Sequence, residues 1–289
     1  MKNAPPAYLK RSPQRKYLEK ALIELLSRIG GRYRLASRRG GDVRLEHELI
    51  SLPRLPEAFE GYRILQITDI HHGPYTRGED LRHIVDIGNR QQADLVVFTG
   101  DFVLNSARYF DEVAEAFSRI QSRDGSAAVL GNHDCREGAE EARLAFERHG
   151  IPLLSNQHIR IERQGQMLYL AGVKDLEEDE PDVRAAFHSV AGDAFCILLS
   201  HNPDIAEFMN GRSADLIISG HTHGGQFVFP LIGAPVIPNA FRKYLGGRIW
   251  GPAGPVYVSR GLGATLLPLR IACPPEMNVL ELHCGSSGV

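Results

Sequence analysis

The stretch DLIISGHTHGG, residues 215–225, decides how the chain is read. A short apolar run gives way to Gly220, and two histidines, His221 and His223, follow at its tip. Taken alone, such a tip is a polar turn after a core strand, because short histidine patterns arise by chance. Its meaning depends on whether other strands of the chain end in the same way.

They do. YRILQITD (62–69), DLVVFTGD (94–101), AAVLGNHD (127–134) and FCILLSH (195–201) are also short, β-rich apolar runs, the pattern of strands buried on both faces. They lead into Asp69 and His71, Asp101, Asn132-His133-Asp134, and His201. Between the runs, LRHIVDIGN, FDEVAEAFSRI and AEEARLAFERHG have helical periodicity. Strands alternating with helices predict an α/β fold with largely parallel central strands. In such sheets the working crevice lies beyond the carboxyl ends of the strands, so all five tips share it. Gly100, Gly131 and Gly220 beside the tips predict sharp backbone turns there. HIRIERQGQMLYLAG predicts a hairpin turning near Gly165, and GPVYVSR and MNVLELH predict two late strands. The Gly- and Pro-rich residues 224–255 read as one long functional loop.

Carboxylates gathered in a buried crevice are costly unless a cation compensates them. Imidazole and carboxylate without cysteine suit divalent ions such as manganese, iron or zinc. The donors suffice for two ions that share one bridging carboxylate. Satisfied core histidines account for one such tip, and not for five.

The blocks D-x-H (69–71), G-D (100–101), G-N-H-D (131–134), a lone His201 and G-H-x-H (220–223), in that order, resemble the calcineurin-like metallophosphoesterases over roughly residues 62–223. LPRLPEAFEGYRILQITDIHHG, LSHNPD, SGHTHGGQ and PLRIACPPEMNVLEL are similar to a subgroup of bacterial membrane-associated phosphohydrolases, some of them UDP-diacylglucosamine pyrophosphatases. The resemblance implies a four-layer α-β-β-α sandwich and two divalent metal ions, manganese first, with iron, zinc or magnesium as alternatives. Asp69, His71, Asp101 and His223 would surround one ion. Asp101, Asn132, His201 and His221 would surround the other, with Asp101 as the bridge. A metal-bridging hydroxide would then attack a phosphodiester or pyrophosphate bond, with His133 facing the phosphate and Asp134 orienting His133 or a ligand histidine. The alternatives are a nuclease or phosphomonoesterase of the same superfamily, or a scaffold without catalysis.

Charge divides the chain of 289 residues in two. Residues 1–44 hold twelve Lys/Arg against three Asp/Glu and carry +9, whereas residues 45–289 hold 21 against 32 and carry −11. An acidic body lacks the basic track that a nuclease needs, so nucleic acid is not the expected partner. The basic part contains RSPQRKYLEKALIELLSRIGG, which predicts a helix over roughly 13–29, capped by Ser12 and stopped by Gly30 and Gly31. Leu18, Leu22, Leu25, Leu26 and Ile29 share one face, opposite Arg15, Lys16, Glu19, Lys20 and Arg28. Such a helix suits docking on an anionic membrane surface, and packing of its leucines on the catalytic domain is the alternative. The expected division is therefore a basic helix and linker at 1–45 and a catalytic domain at 46–289.

No apolar run reaches the roughly 20 residues that span a bilayer, and the N-terminus lacks the pattern of a secretory signal. Cys135, Cys196, Cys273 and Cys284 are too scattered for a zinc or disulfide framework and read as reduced thiols. These features predict a cytoplasmic protein, peripheral at the inner face of the cell membrane. Three stretches carry weaker expectations. SRGLGATLLP (259–268) has no Walker lysine and reads as a loop; EEDEPD (177–182) reads as a solvated loop. Arg242, Lys243 and Arg248 stand beside Phe227, Phe229, Phe241, Tyr244 and Trp250 as a possible grip on a phosphorylated or lipid-bearing substrate.

Overall fold

The computed structural model describes residues 43–285 and seven helical positions before them: Gln14, Tyr17, Leu18, Ala21, Leu22, Glu24 and Leu25. The Ser12 cap, the cationic face of the N-terminal helix, its Gly30-Gly31 stop and the linker from residue 32 to 42 lie outside the described residues.

Among the described residues eleven strands form two sheets. The first has the order β1 (Arg44–Leu52), β11 (Glu276–Cys284), β2 (Tyr62–Ile67), β3 (Leu95–Phe98), β4 (Ser126–Ala128). The second has the order β5 (Gln157–Arg163), β6 (Gln166–Gly172), β7 (Cys196–Leu199), β8 (Leu216–Ser219), β10 (Gly254–Val258), β9 (Gly247–Gly251). Strands β2, β3 and β4 run parallel, as do β6, β7, β8 and β10. The expected hairpin is β5–β6, closed by the pair Arg163 and Gln166 around Gln164 and Gly165, both at positive φ. That is the geometry of a tight two-residue hairpin turn.

Because successive side chains of a strand face opposite ways, each short apolar run serves two cores at once. Ile64, Leu95, Val97 and Ala127 of the first sheet meet Ile197, Leu199, Leu216 and Ile218 of the second. Their neighbours Leu65, Val96, Phe98 and Ala128 face outward to helices α1 (Gly78–Asn89), α2 (Phe110–Phe117) and α3 (Asn132–Arg148). The Phe98 and Phe117 rings stack there at 4.5 Å. On the far side, Leu198, Ile217 and Val256 pack under the short helix α4 (Val183–Ala186) and the turn Pro203–Glu207. Three cores thus separate four layers, α-β-β-α.

Two strands were not legible beforehand. β1 alternates weakly and begins at Arg44, so it straddles positions 45 and 46, where the sequence suggests a boundary. β9 lies inside residues 224–255, which are therefore an ordered segment with a strand in it. The third run also ends earlier than expected: β4 stops at Ala128, and α3 starts inside the motif, at Asn132. Gly138, at φ 152°, kinks α3.

Candidate metal centre

Each motif begins two to four residues beyond the last residue of its strand, on the edge where both sheets end. The first sheet delivers Asp69, His71, Asp101, Asn132 and His133, and the second delivers His201, His221 and His223. Gln66 on β2 ties the two sheets behind the site, donating to the Ser219 carbonyl at 2.8 Å.

The chain turns at these tips in an uncommon way. Asp69, His71, Asp101, His221 and His223 themselves adopt φ between 48° and 70°. Non-glycine residues rarely take that region, and strain of this kind concentrates at functional sites. Of the glycines expected to turn the chain, Gly100 does so, at φ 90°. Gly131, at φ −99°, serves instead to let two backbones touch. A Cβ there would lie 2.5 Å from the Asp101 backbone nitrogen and collide with its carboxylate.

Four donor atoms, one each from Asp69, His71, Asp101 and His223, lie within 4.8 Å of one another, all buried. His71 Nε2 is 3.0 Å from His223 Nε2 and 3.5 Å from Asp101 Oδ2. The same Oδ2 is 3.3 Å from His201 Nε2. His201 Nε2 and Asn132 Oδ1 lie 3.2 and 3.0 Å from His221 Nδ1. One carboxylate oxygen therefore stands between two clusters of nitrogen and oxygen donors.

The donor chemistry fits cations. His201 Nδ1 is 2.7 Å from the Thr99 carbonyl, which takes its N–H and turns Nε2 toward the cluster. Burial lowers the His201 pKa, but Asp101 above all raises it, and the net shift is well upward. The same carboxylate that favours a charged ring here would compensate a divalent ion in its place. At the other cluster the Arg270 guanidinium lies 3.1 Å from His223 Nδ1. On the other side of the ring His223 Nε2 faces His71 Nε2 at 3.0 Å, the side on which an ion would bind.

His133 lies at the start of α3, and its ring packs edge-on to His71 at 4.7 Å. Its Nδ1 is 2.8 Å from the Leu104 carbonyl, leaving Nε2 for other contacts. Burial first, then Arg136, hold its pKa well below the ordinary histidine value. Asp134 does not take the place expected for it behind a histidine ring. Its carboxylate accepts the backbone N–H groups of Gly131, Phe102 and Val103, clamping two ligand loops together.

Sequence reasoning missed other residues of the site. Glu177 belongs to the acidic run read as solvated, yet it is buried, with Oε1 3.2 Å from His221 Nε2. That is ion-pair distance, though off the line of the ring N–H. Asp175 holds the turn by accepting from the Glu177 and Glu178 N–H groups at 2.9 Å, and burial pushes its carboxyl up to about 6. Gly261 and Gly263, in the stretch read as a plain loop, press against Asp69 and Ile70, where a Cβ would collide. Two acids, Asp175 and Glu177, set two residues apart just beyond the second hairpin strand were the available signal.

A cavity of about 360 Å³ opens over the centre. Asp101, Asn132, His133, His221 and His223 form its floor; Leu18, Leu22, Phe227, Ile237 and Leu266 are among the apolar residues of its wall. Of the five aromatics expected to grip a substrate, Phe227 lines this cavity, whereas Tyr244 is a core residue bonded to Glu207. Lys243 pairs with the same Glu207 at 2.6 Å. All four cysteines are free thiols.

Residues 62–225, which carry every one of these donors, match the calcineurin-like phosphoesterase family. The chain belongs to that family. It is accordingly a metal-dependent phosphoric ester hydrolase. Among its relatives is the uncharacterized metallophosphoesterase YkuE of Bacillus subtilis, 32% identical over 79% of this chain and 81% of that protein. Another is the phosphodiesterase YaeI of Escherichia coli, 31% identical over 76% of this chain and 82% of that one. A third is a zebrafish transmembrane protein with a metallophosphoesterase domain, 32% identical over 81% of this phosphoesterase and 56% of the zebrafish chain. Among the described residues of this phosphoesterase no helix is long and apolar enough to cross a membrane.

Proposed function

We propose that this phosphoesterase hydrolyses a phosphodiester or pyrophosphate bond in a substrate that carries a large apolar group, at the inner face of the cell membrane. The observation that carries the reading is the two-part cavity, a floor of carboxylate, amide and imidazole beneath an aliphatic wall. In this reading Asp69, His71, Asp101 and His223 hold one ion, and Asp101, Asn132, His201 and His221 hold the other. Manganese is the first ion to try, then iron, zinc and magnesium. Two such ions, when bound, lower the pKa of water and neutralise phosphoryl oxygens.

The protein does the rest. Asp101 fixes the spacing of the two clusters because one of its oxygens faces both. His133, held through Nδ1 by Leu104, turns Nε2 to a phosphoryl or leaving oxygen. An entering phosphate anion opposes the burial that keeps this ring neutral, so the ring takes a proton from water as the substrate binds and can hand it to the leaving oxygen. Asp134 keeps the Asp101 and Asn132 loops in register. The apolar wall seats the apolar part of the substrate and excludes water. A nuclease would need a basic track instead of this wall. The +9 carried by residues 1–44 favours an anionic membrane nearby.

The test is a metal-loaded screen of full-length protein across lipid-linked nucleotide diesters and pyrophosphates, cyclic nucleotides and phosphomonoesters. The expected result is the highest kcat/KM on the lipid-bearing diesters or pyrophosphates. Equal or better turnover of water-soluble monoesters overturns the reading.

A further inference from the structure

Leu231 and Ile232 stand at the turn of a small hairpin in which Phe229 and Gly233 exchange backbone hydrogen bonds of 2.9 Å. Both side chains are bare, at 107% and 73% exposure. Leu267 and Leu269, from a loop distant in sequence, are also exposed, at 42% and 50%. These loops are not loose ends. The buried Gln226 bolts them together: its Nε2 lies within 3.0 Å of the carbonyls of Thr265, Leu267 and Leu269, and its Oε1 accepts from the Thr265 N–H at 2.9 Å. The Val228 N–H joins them again at the Ile271 carbonyl. A braced scaffold therefore displays Leu231, Ile232, Val236, Leu267 and Leu269 to water, with Phe229 partly exposed beside them, an arrangement that marks an interaction surface.

Its charge says what the surface meets. Residues 216–275 hold five Lys/Arg and no Asp or Glu, although residues 45–289 together carry −11. Two of these cations turn inward, Arg260 to Glu276 and Arg270 to His223, and Lys243 pairs with Glu207, whereas Arg242 is exposed and donates to the Ala234 carbonyl within the lip. The lip itself thus holds no acid and has an exposed cation at its edge. Protein interfaces are enriched in aromatic residues and arginine at a packed centre. Here the tips are aliphatic and isolated on turns, with that cation beside them, the composition of a segment that enters an anionic bilayer. The lip also continues the cavity wall, since Phe227, Val236 and Leu266 of the same two loops line the cavity over the metal centre.

We propose that the lip formed by residues 229–236 and 267–269 inserts into an anionic lipid surface and seats the mouth of the cavity on it. The link to substrate access rests on the function proposed above; the insertion itself needs neither ions nor turnover.

The experiment uses full-length protein with vesicles of phosphatidylcholine, with and without phosphatidylglycerol. The Leu231→Ser/Ile232→Ser double variant should partition on the order of tenfold more weakly, or less still, on the anionic vesicles. It should hydrolyse a small soluble diester as the unaltered protein does. In a Trp250→Phe background, Leu231→Trp should show blue-shifted emission with anionic vesicles, quenched by brominated acyl chains. Unchanged partition of the double variant overturns the proposal, because the N-terminal segment then carries all binding. An unshifted Leu231→Trp emission overturns it too, as does a dimer in solution that the double variant converts to monomer. Absence of diester hydrolysis in the unaltered protein would count against the proposed function while leaving the vesicle result intact.

Discussion

The floor and the rim of the cavity lie a few residues apart in sequence, yet opposite rules govern them. Beneath the floor, Asp69, His71 and His201 are fully buried, and five of the candidate ligands hold left-handed backbone. Each carboxylate or ring there answers to several partners, so any single change alters its neighbours. On the rim, Leu231 and Ile232 touch little, and the Phe229–Gly233 backbone pair and the Arg242 bond to Ala234 hold their turn. The floor is arranged for ions and the rim for what approaches them. Chemistry and access are thus separable here, and substitutions should sort accordingly.

The largest effect belongs to the shared oxygen. Asp101→Ala removes the one group that faces both clusters, so both ions and essentially all turnover should be lost. His71→Ala or His201→Ala, each touching one cluster, should retain part of the metal. Elemental analysis of the purified variants decides the matter: two ions retained by Asp101→Ala would separate the two clusters and break the account of the floor.

His133 comes next. It lies on the floor, but in the proposed division it holds no ion. His133→Ala should lower kcat on the order of 10²–10⁴-fold, with metal content unchanged. Loss of an ion in this variant would move His133 into the ligand set.

Glu177 sharpens the boundary further, because it sits behind His221 rather than among the ion-facing atoms. Groups that orient or polarise a ligand histidine are worth roughly 10–100-fold in metal affinity. Glu177→Gln keeps the shape and removes the charge, and should weaken one ion of the two by about tenfold. Titration calorimetry with the metal would show one weakened and one unaltered site. Two unaltered sites would make Glu177 a packing residue only.

The same contrast explains what could be read beforehand. The tips were legible because five buried runs ended in ligand types, and burial forces such groups to be compensated. The division of those runs between two sheets was not legible from periodicity: Leu95–Phe98 and Leu216–Ser219 are buried at every position and read alike, although they belong to different sheets. Resemblance supplied the four layers. Glu177 and Asp175 were hidden because an acidic run on a loop looks solvated until the loop is folded over His221. β9 was hidden by its glycines, Gly247 and Gly251, which punctuate a strand only when a partner such as β10 pairs with it. Arg242 and Lys243 read as a grip on substrate, but the fold already engages both.

Arg242 therefore gives the smallest effect and the sharpest test of separability. Its guanidinium is not aimed at the floor; Nη2 donates to the Ala234 carbonyl at 2.9 Å, inside the segment that carries Leu231, Ile232 and Val236. Ala234 in turn closes over Gly225, where a Cβ would collide with its methyl group. Arg242→Lys keeps the charge and loses the planar donor that fits this carbonyl. The bond is charge-assisted, and because lysine keeps the charge the loss is roughly 1 kcal/mol, so the segment should loosen without unfolding. On a substrate with a large apolar group KM should rise by a factor on the order of five, which follows from that energy. On a small soluble diester, kcat and KM should both stay within error, since nothing on the floor contacts the segment through this bond. A fall in kcat on the small diester would mean that the rim reaches into the chemistry, and the separation of floor from rim would fail at this residue.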